Sequence, residues 1–169
     1  MGIASRIAEY DREISRSVLP CSEKPQLLIL LKAITLLGAG PFWVPVYTAA
    51  FFLLTEQRPL VFAVIIAECL QVPSIILLRL LTRRQRPDVA AAGHYLSQWN
   101  RYSFPSLHTA RVSMLCTVIS SAYPSTLPIM LAAAFLVGGS RLLLQKHFLS
   151  DIVAGALVGI AAAGIVLSV

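Results

Sequence analysis

Residues 140–151 read SRLLLQKHFLSD and lie between two strongly apolar runs, so this stretch is expected to surface at one face of a membrane. It brings together a guanidinium (Arg141), an imidazole (His147) and a carboxylate (Asp151). The last two are four residues apart, the spacing that lets side chains meet on one helical face. A carboxylate bonded to one ring nitrogen leaves the other nitrogen free to attack or to accept a proton, and an arginine fork suits phosphate oxygens. Alternatively, Asp151 only caps the next helix and the other two face lipid headgroups; taken alone, the stretch favours this second interpretation.

The composition indicates an integral membrane protein. Of the 169 residues, 57% are hydrophobic and only 13% are charged, and the mean hydropathy is +0.75. The length predicts one domain, and the long apolar runs favour an all-α, polytopic transmembrane helix bundle over a barrel. In such a chain the net charge of +6 is attributed to membrane topology, anionic headgroups or an anionic substrate rather than to nucleic acid. Cys69 and Cys116 lie in apolar runs and are expected to be buried.

The chain divides into an N-terminal interfacial region, residues 1–37, and a transmembrane catalytic bundle, residues 41–169. Apolar residues recur at helical spacing up to residue 19, which predicts an amphipathic helix lying in the interface. Within the second span, Glu68 is expected to be protonated or hydrogen-bonded inside the bundle. Trp99 and Tyr102 suit an interfacial belt. Glycines in the last span permit close helix packing: Gly155, Gly159 and Gly164. About five spans are predicted, near residues 41–54, 60–81, 106–122, 127–144 and 151–169.

Five spans place residues 1–40, 82–105 and 145–150 at the same face of the membrane. Of the 14 Lys and Arg residues, Arg58 alone lies on the opposite side. Arg79, Arg86 and Arg141 could serve to bind phosphate; without them, ten basic residues remain on the first side and one, Arg58, on the other. The distribution favours the cytosolic face for the polar segments, and it does not distinguish the endoplasmic reticulum from a bacterial inner membrane.

Two further stretches carry candidate site residues. Arg79 and Arg86 are about two helical turns apart where the second span leaves the membrane, so both can grip one phosphate. The third span opens with Ser106, whose first-turn amides point at any anion above the helix, and His108 there can protonate a leaving oxygen. The alternatives are a basic cluster that anchors the helix end and an N-cap serine beside a buried histidine.

The three stretches together predict a phosphoryl-transfer site. Arginines and the serine would hold the phosphoryl oxygens. His147, oriented by Asp151, would attack phosphorus, His108 would protonate the departing lipid oxygen, and water would release phosphate from the phosphohistidine. A metal site formed by these two histidines and Asp151 is the competing mechanism; it is ranked lower because three arginines already supply the electrostatic stabilisation.

The same residues resemble the signature of the type 2 phosphatidic acid phosphatase (PAP2) superfamily, which includes vanadium haloperoxidases and bacterial acid phosphatases. That signature reads K-x6-RP, PSGH and SR-x5-H-x3-D. The chain matches it in order and spacing at Arg86-Pro87, Pro105-Ser106, His108, Ser140-Arg141, His147 and Asp151. It departs from the signature at Arg79, where the family has lysine, and at Leu107, where it has glycine. The segments 38–43 and 102–106 and Arg111 are similar to the polyisoprenoid (presqualene) diphosphate phosphatase branch.

The resemblance implies a six-helix core and a metal-independent phosphatase, without a cofactor, that acts on lipid phosphates or prenyl diphosphates. It implies catalytic roles for His147, His108 and Asp151. Phosphate binding falls to Arg79, Arg86, Ser106, Leu107 and Arg141. The alternatives are a phosphotransferase with an alcohol acceptor and a catalytically silent membrane scaffold. Membrane lipids are the expected partners, and neither the oligomeric state nor the preferred lipid follows from the sequence.

Overall fold

The computed structural model describes residues 2–19, 24–87 and 101–169. Within these ranges the chain is helical, with one isolated bridge between Gln85 and Tyr102. Short 3-10 turns precede α4 and α6. The helices are α1 (Ile3–Val18), α2 (Pro25–Leu36), α3 (Gly40–Leu53), α4 (Arg58–Thr82), α5 (Leu107–Ala122), α6 (Leu127–Leu143) and α7 (Leu149–Leu167). The predicted all-α membrane bundle is therefore confirmed.

Among the described residues, three helical segments are long and apolar enough to cross a membrane: Thr55–Thr82, Pro124–Leu143 and Leu149–Leu167. They correspond to three of the five predicted spans. The first predicted span is instead the second half of a pair, α2 and α3, which bends by 44° and qualifies as a span only when both halves are taken together. The bend follows from a break at residues 37–39, after which Gly40 and Pro41 start a new helix. The third predicted span, α5, has only 16 residues.

Helix α5 lies at the centre of the bundle, packed by α4, α6 and α7. Close approach of α7 to α5 depends on two glycines. A Cβ atom on Gly155 would lie 2.4 Å from the carbonyl oxygen of Ser106, and one on Gly159 would lie 2.0 Å from that of Ala110. The predicted role in packing is confirmed for these two. It is wrong for Gly164, where a Cβ atom would meet nothing within 4 Å, because this glycine lies on the exposed side of α7 while the adjacent Ala163 packs in the core.

A buried ion pair joins α4 to α5 inside the bundle. Arg111 donates to both carboxylate oxygens of Glu68, with Nη2 3.1 Å from Oε2. The same guanidinium donates from Nη1 to the carbonyl oxygen of Gly38 at 2.6 Å, so it also holds the break between α2 and α3. The expectation that Glu68 is hydrogen-bonded inside the bundle is confirmed. Pairing of this kind is what allows a carboxylate to lie in an apolar core.

The predictions for the two cysteines and for the interfacial aromatic residues differ in outcome. Cys116 is buried as expected, but Cys69 is exposed, because it lies on the outward side of α4. Tyr102 is half-buried at the bridge to Gln85. The prediction that Trp99 belongs to an interfacial belt falls outside the described residues.

Candidate active site

Four helix ends meet at one end of the bundle. The chain leaves α4 through residues 83–87, enters α5 at Leu107, leaves α6 at Leu143 and enters α7 at Leu149. Backbone hydrogen bonds tie these ends together: Ser106 N–H donates to the carbonyl oxygen of Asp151 at 2.9 Å, and Ser103 N–H donates to that of Arg84 at 2.8 Å. The three stretches singled out in the sequence therefore share one location.

His147 lies fully buried in the connection between α6 and α7. Its Nδ1 atom is 3.7 Å from Oδ2 of Asp151, slightly beyond hydrogen-bond distance. On the other side of the ring, Nε2 is 3.4 Å from Nη1 of Arg86. Asp151 also accepts the backbone N–H of Phe148 at 2.9 Å, so it caps α7 as well as facing the imidazole. The capping interpretation of Asp151 is thus confirmed. The predicted hydrogen bond to the imidazole is not formed, because the carboxylate faces Nδ1 from 3.7 Å and Nδ1 has no hydrogen-bond partner among the described residues.

Each candidate phosphate-binding arginine is held by an oxygen of the protein. Arg79 donates from Nε and Nη2 to the carbonyl oxygen of Pro105, at 3.2 and 3.1 Å. Arg86 donates to that of Lys146 at 2.8 Å. Arg141 donates to the hydroxyl of Thr35 at 3.0 Å. All three side chains are at least nine-tenths buried, so the guanidinium groups are fixed in place before an anion binds.

Helix α5 supplies the second histidine. Ser106 is its N-cap: the hydroxyl oxygen accepts hydrogen bonds from the Thr109 hydroxyl at 3.0 Å and from its backbone N–H at 3.5 Å. The first-turn N–H groups, starting at Leu107, face outward from this end. His108 packs against the break before α3, because a Cβ on Gly38 would lie 2.7 Å from its own Cβ. His108 lies two residues after Ser106, whose backbone N–H is bonded to the carbonyl oxygen of Asp151, so both histidines lie at the same end of the bundle.

The cluster keeps His147 neutral. Burial, reinforced by the positive charges of Arg141, Arg86 and Arg79, holds the pKa of this imidazole well below its usual 6.5. A neutral imidazole retains the lone pair that a nucleophile or base requires. The cluster therefore combines a neutral imidazole, able to act as a nucleophile or a base, with arginines that attract an anion. No group of three or more His, Cys, Asp and Glu residues arranged to hold a metal ion occurs within the described ranges.

A second ion-pair network, which the sequence did not predict, lies behind the site. Arg84 bridges two carboxylates, donating from Nη1 to Asp151 at 2.7 Å and from Nη2 to Asp11 at 2.6 Å. Ser150 contacts both Arg84 and Asp11. The basic run 83–86 pointed to this region, but nothing in the sequence distinguished Arg84 from its exposed neighbour Arg83 or linked it to the N-terminal helix.

The family to which the chain belongs is shown by comparison with known protein families. The sequence model of the PAP2 superfamily matches residues 57–169, about two thirds of the chain, and includes every candidate site residue. The chain therefore belongs to the PAP2 superfamily, as its motifs indicated.

Known relatives agree with this assignment. Over 94 residues the chain is 33% identical to the decaprenylphosphoryl-5-phosphoribose phosphatase of Mycobacterium tuberculosis; the match covers 56% of this chain and 52% of that protein. The chain thus spans about half the length of the curated relatives it matches. LpxE of Aquifex aeolicus is similar in structure, with a TM-score of 0.73 and 27% identity over 96% of this chain and 94% of that one.

The fold also matches a transmembrane PAP2-type phosphatidylglycerolphosphate phosphatase from Bacillus subtilis. The TM-score is 0.76 at 22% identity, and the match covers 96% of this chain and 85% of the other. At this identity the likeness shows the fold alone. The helical architecture of a membrane PAP2 protein, which the sequence predicted, is confirmed.

Proposed function

We propose that the protein is an integral membrane phosphatase that removes phosphate from a lipid phosphate or a prenyl diphosphate through a phosphohistidine intermediate. The observation that carries the proposal is the position of His147. This buried imidazole faces a carboxylate through Nδ1 and an arginine through Nε2, and two more buried arginines act on it. The similarity to the decaprenylphosphoryl-5-phosphoribose phosphatase of M. tuberculosis supports the same class of substrate.

The first step breaks the phosphate–lipid bond. Asp151 keeps the proton of His147 on Nδ1, so the lone pair on Nε2 attacks phosphorus. A bond forms between Nε2 and phosphorus while the bond from phosphorus to the lipid oxygen breaks. His108, in its protonated form, gives a proton to that oxygen, and the lipid product leaves. Arg79, Arg86 and the first-turn amides of α5 neutralise the charge that develops on the phosphoryl oxygens.

The second step releases phosphate. Water attacks the phosphorus of the phosphohistidine while His108, now neutral, takes a proton from it. The bond between phosphorus and Nε2 breaks, inorganic phosphate departs, and both histidines return to their starting states. Arg141 and Ser106 also hold the phosphoryl group in both steps, and the backbone of Leu107 takes the place of the family's glycine at the phosphate.

A lipid-facing groove fits the hydrocarbon part of such a substrate. It encloses about 490 Å3 between α5, α6 and α7, and its wall includes Thr109, the residue after His108. A second cavity of about 330 Å3 shares Ser113, Leu131 and Ala134 with it and continues to Ser120. From Thr109 to Ser120 the wall runs along about 17 Å of α5 at 1.5 Å per residue. A tail lying in this groove places its phosphate at the site end.

Hydrolysis is tested with purified full-length protein in detergent. We expect phosphate release from prenyl diphosphates or phosphatidic acid that survives a chelator and is lost in His147→Ala. With a radiolabelled phosphate donor, the wild-type protein should carry an acid-labile label that the variant lacks. A folded protein that releases no phosphate from any of these substrates contradicts the proposal and favours a silent scaffold. Label transfer to an added alcohol in preference to water identifies a phosphotransferase.

The site is proposed to open on the cytosolic face. Basic residues are enriched on the cytosolic side of membrane proteins. Ten lie toward the site end and one, Arg58, at the other, even when the three arginines proposed to bind phosphate are left out. Arg83 is exposed beside the site. In sealed vesicles of known sidedness, a protease specific for arginine should cut here only from the cytosolic side; cleavage only from the opposite side contradicts the orientation.

A further inference from the structure

The N-terminal helix contacts the bundle through its polar residues. Asp11 is 3% exposed and Ser15 is 6% exposed, while Ile3, Ile7 and Tyr10 are 80%, 47% and 66% exposed. The apolar residues are thus left for the membrane interface, as expected for an amphipathic helix. Burial of a carboxylate needs a specific partner to offset its lost hydration, so the contact made by Asp11 calls for an explanation.

Helix α1 holds the His147 connection on both sides. Before the histidine, the Ser15 hydroxyl donates to Oε1 of Gln145 at 2.6 Å, and Nε2 of Gln145 donates to the carbonyl oxygen of Ser15 at 3.0 Å. After the histidine, the backbone N–H of Ser150 donates to Oδ1 of Asp11 at 3.0 Å, and the Ser150 hydroxyl donates to Oδ2. Gln145 has a left-handed φ of 54°, which these side-chain bonds help to stabilise.

Arg84 extends this contact to the carboxylate behind the imidazole. Its guanidinium lies over the ring of Phe148, 4.4 Å from the centroid, and donates to Ser150 at 2.6 Å. It pairs with Asp11 on one side and with Oδ1 of Asp151 on the other. The second oxygen of Asp151, Oδ2, is thereby left for the Phe148 N–H and for Nδ1 of His147.

We propose that Asp11 is a positioning residue for the reaction: with Ser150 it holds Arg84 against Asp151, so that this carboxylate keeps one oxygen toward His147. The inference rests on the proposed phosphatase function. The amphipathic helix α1 then contributes to the site, because its Asp11 is the first of a series of interacting side chains that ends at the nucleophile. The series runs Asp11, Arg84, Asp151, His147.

Removing a charge from this series should change how readily His147 is protonated, and the direction depends on the sign of the charge removed. His147 is faced by Asp151 of α7, Arg79 of α4, Arg86 beyond α4, Arg141 of α6 and His108 of α5. Behind Asp151 lie Arg84 and then Asp11 of α1. Removal of the negative charge of Asp11 leaves the Arg84 charge less compensated, which disfavours protonated His147. Removal of the Arg84 charge has the opposite effect.

The test compares full-length variants in detergent with the best substrate of the wild-type protein. Asp11→Asn should lower kcat roughly tenfold, about the effect of weakening one charge-assisted hydrogen bond, with KM nearly unchanged. It should move the acid limb of the pH profile of kcat/KM to lower pH, whereas Arg84→Gln should move it to higher pH. Asp11→Glu, which restores the charge, should recover part of kcat.

The matched control is Glu13→Gln, which removes the same charge from an exposed position two residues further along α1. It should leave kcat and the acid limb unchanged, because water screens that charge. If Asp11→Asn behaves like Glu13→Gln, or if Asp11→Asn and Arg84→Gln shift the acid limb in the same direction, the inference is overturned. Thermal unfolding of each variant separates loss of fold from loss of positioning, and an inactive wild-type protein counts against the phosphatase proposal instead.

Discussion

The distance between α5 and α7 is predicted to set the geometry of the site, and a substitution at Gly155 tests this. Gly155 lies one helical turn after Asp151, and a Cβ atom there would be 2.4 Å from the carbonyl oxygen of Ser106. Ordinary carbon–oxygen contacts between elements are about 3.3 Å or longer. Because the obstructing atom belongs to the backbone, Gly155→Ala must push α7 away from α5 by about 1 Å at this level.

This displacement acts directly on the reacting groups. The carbonyl oxygen of Asp151 accepts a hydrogen bond from the Ser106 N–H at 2.9 Å. A shift of α7 relative to α5 therefore also moves Asp151 relative to the start of α5, which carries His108. A misplacement of about 1 Å between reacting groups can cost about 100-fold in rate, and overpacking costs about 1–3 kcal/mol of stability. We therefore expect Gly155→Ala to fold with a lower melting temperature and to lose about two orders of magnitude in kcat.

Gly164→Ala is the control for this prediction. It is the same substitution on the same helix, but the new methyl group meets no atom within 4 Å. Phosphate release and thermal unfolding are measured for both variants in detergent. Wild-type kcat in Gly155→Ala, or an equal loss of kcat in Gly164→Ala, would show that the α5–α7 spacing does not set the site geometry.

Two further predictions concern acidity and the lipid tail. Since the pKa of His147 lies well below 6.5, its proton should titrate below that pH in an NMR titration of the free protein, with the resonance assigned by its loss in His147→Ala; a midpoint at or above 6.5 contradicts the assigned environment. The unfolded chain takes up this proton at higher pH than the folded one, so His147 also lowers stability as pH falls below about 6.5. Ala134→Phe should fill the groove and raise KM severalfold for long-chain substrates but not for a short soluble phosphate ester, whereas Ala132→Phe, on the same helix and outside the groove wall, should change neither. Equal effects of both phenylalanines would exclude the groove as the tail site.

Much of the site could be predicted because its motifs are local. His147 and Asp151 come within 3.7 Å of each other at the start of α7. They do not share a helical face as predicted, because His147 precedes the first residue of the helix. Ser106 begins α5 because a serine at that position can accept the Thr109 N–H. Counting spans was sufficient to place both at the same end of the bundle, since each crossing reverses the chain. That inference needs only the lengths of apolar runs.

The wrong predictions concern residues whose contacts depend on neighbours far along the chain. Gly164 matches Gly155 and Gly159 in the sequence, yet only the latter two reach α5. Cys69 and Cys116 lie in equally apolar runs, and only the burial of each helix face separates them. A periodic pattern identifies the faces of a helix, but not which face meets another helix when lipid is also an apolar surface.

The membrane bundle and the signature residues follow from the order of amino acids alone, because hydropathy and short spacings act within one helix. Two contacts depend on the folded arrangement: Arg84 rather than Arg83 pairs with Asp151, and the same guanidinium pairs with Asp11, 140 positions before Asp151. Such ion pairs form only where packing brings distant backbones together and removes the intervening water. The strength of these contacts is therefore a property of the folded arrangement and cannot be obtained from the order of residues.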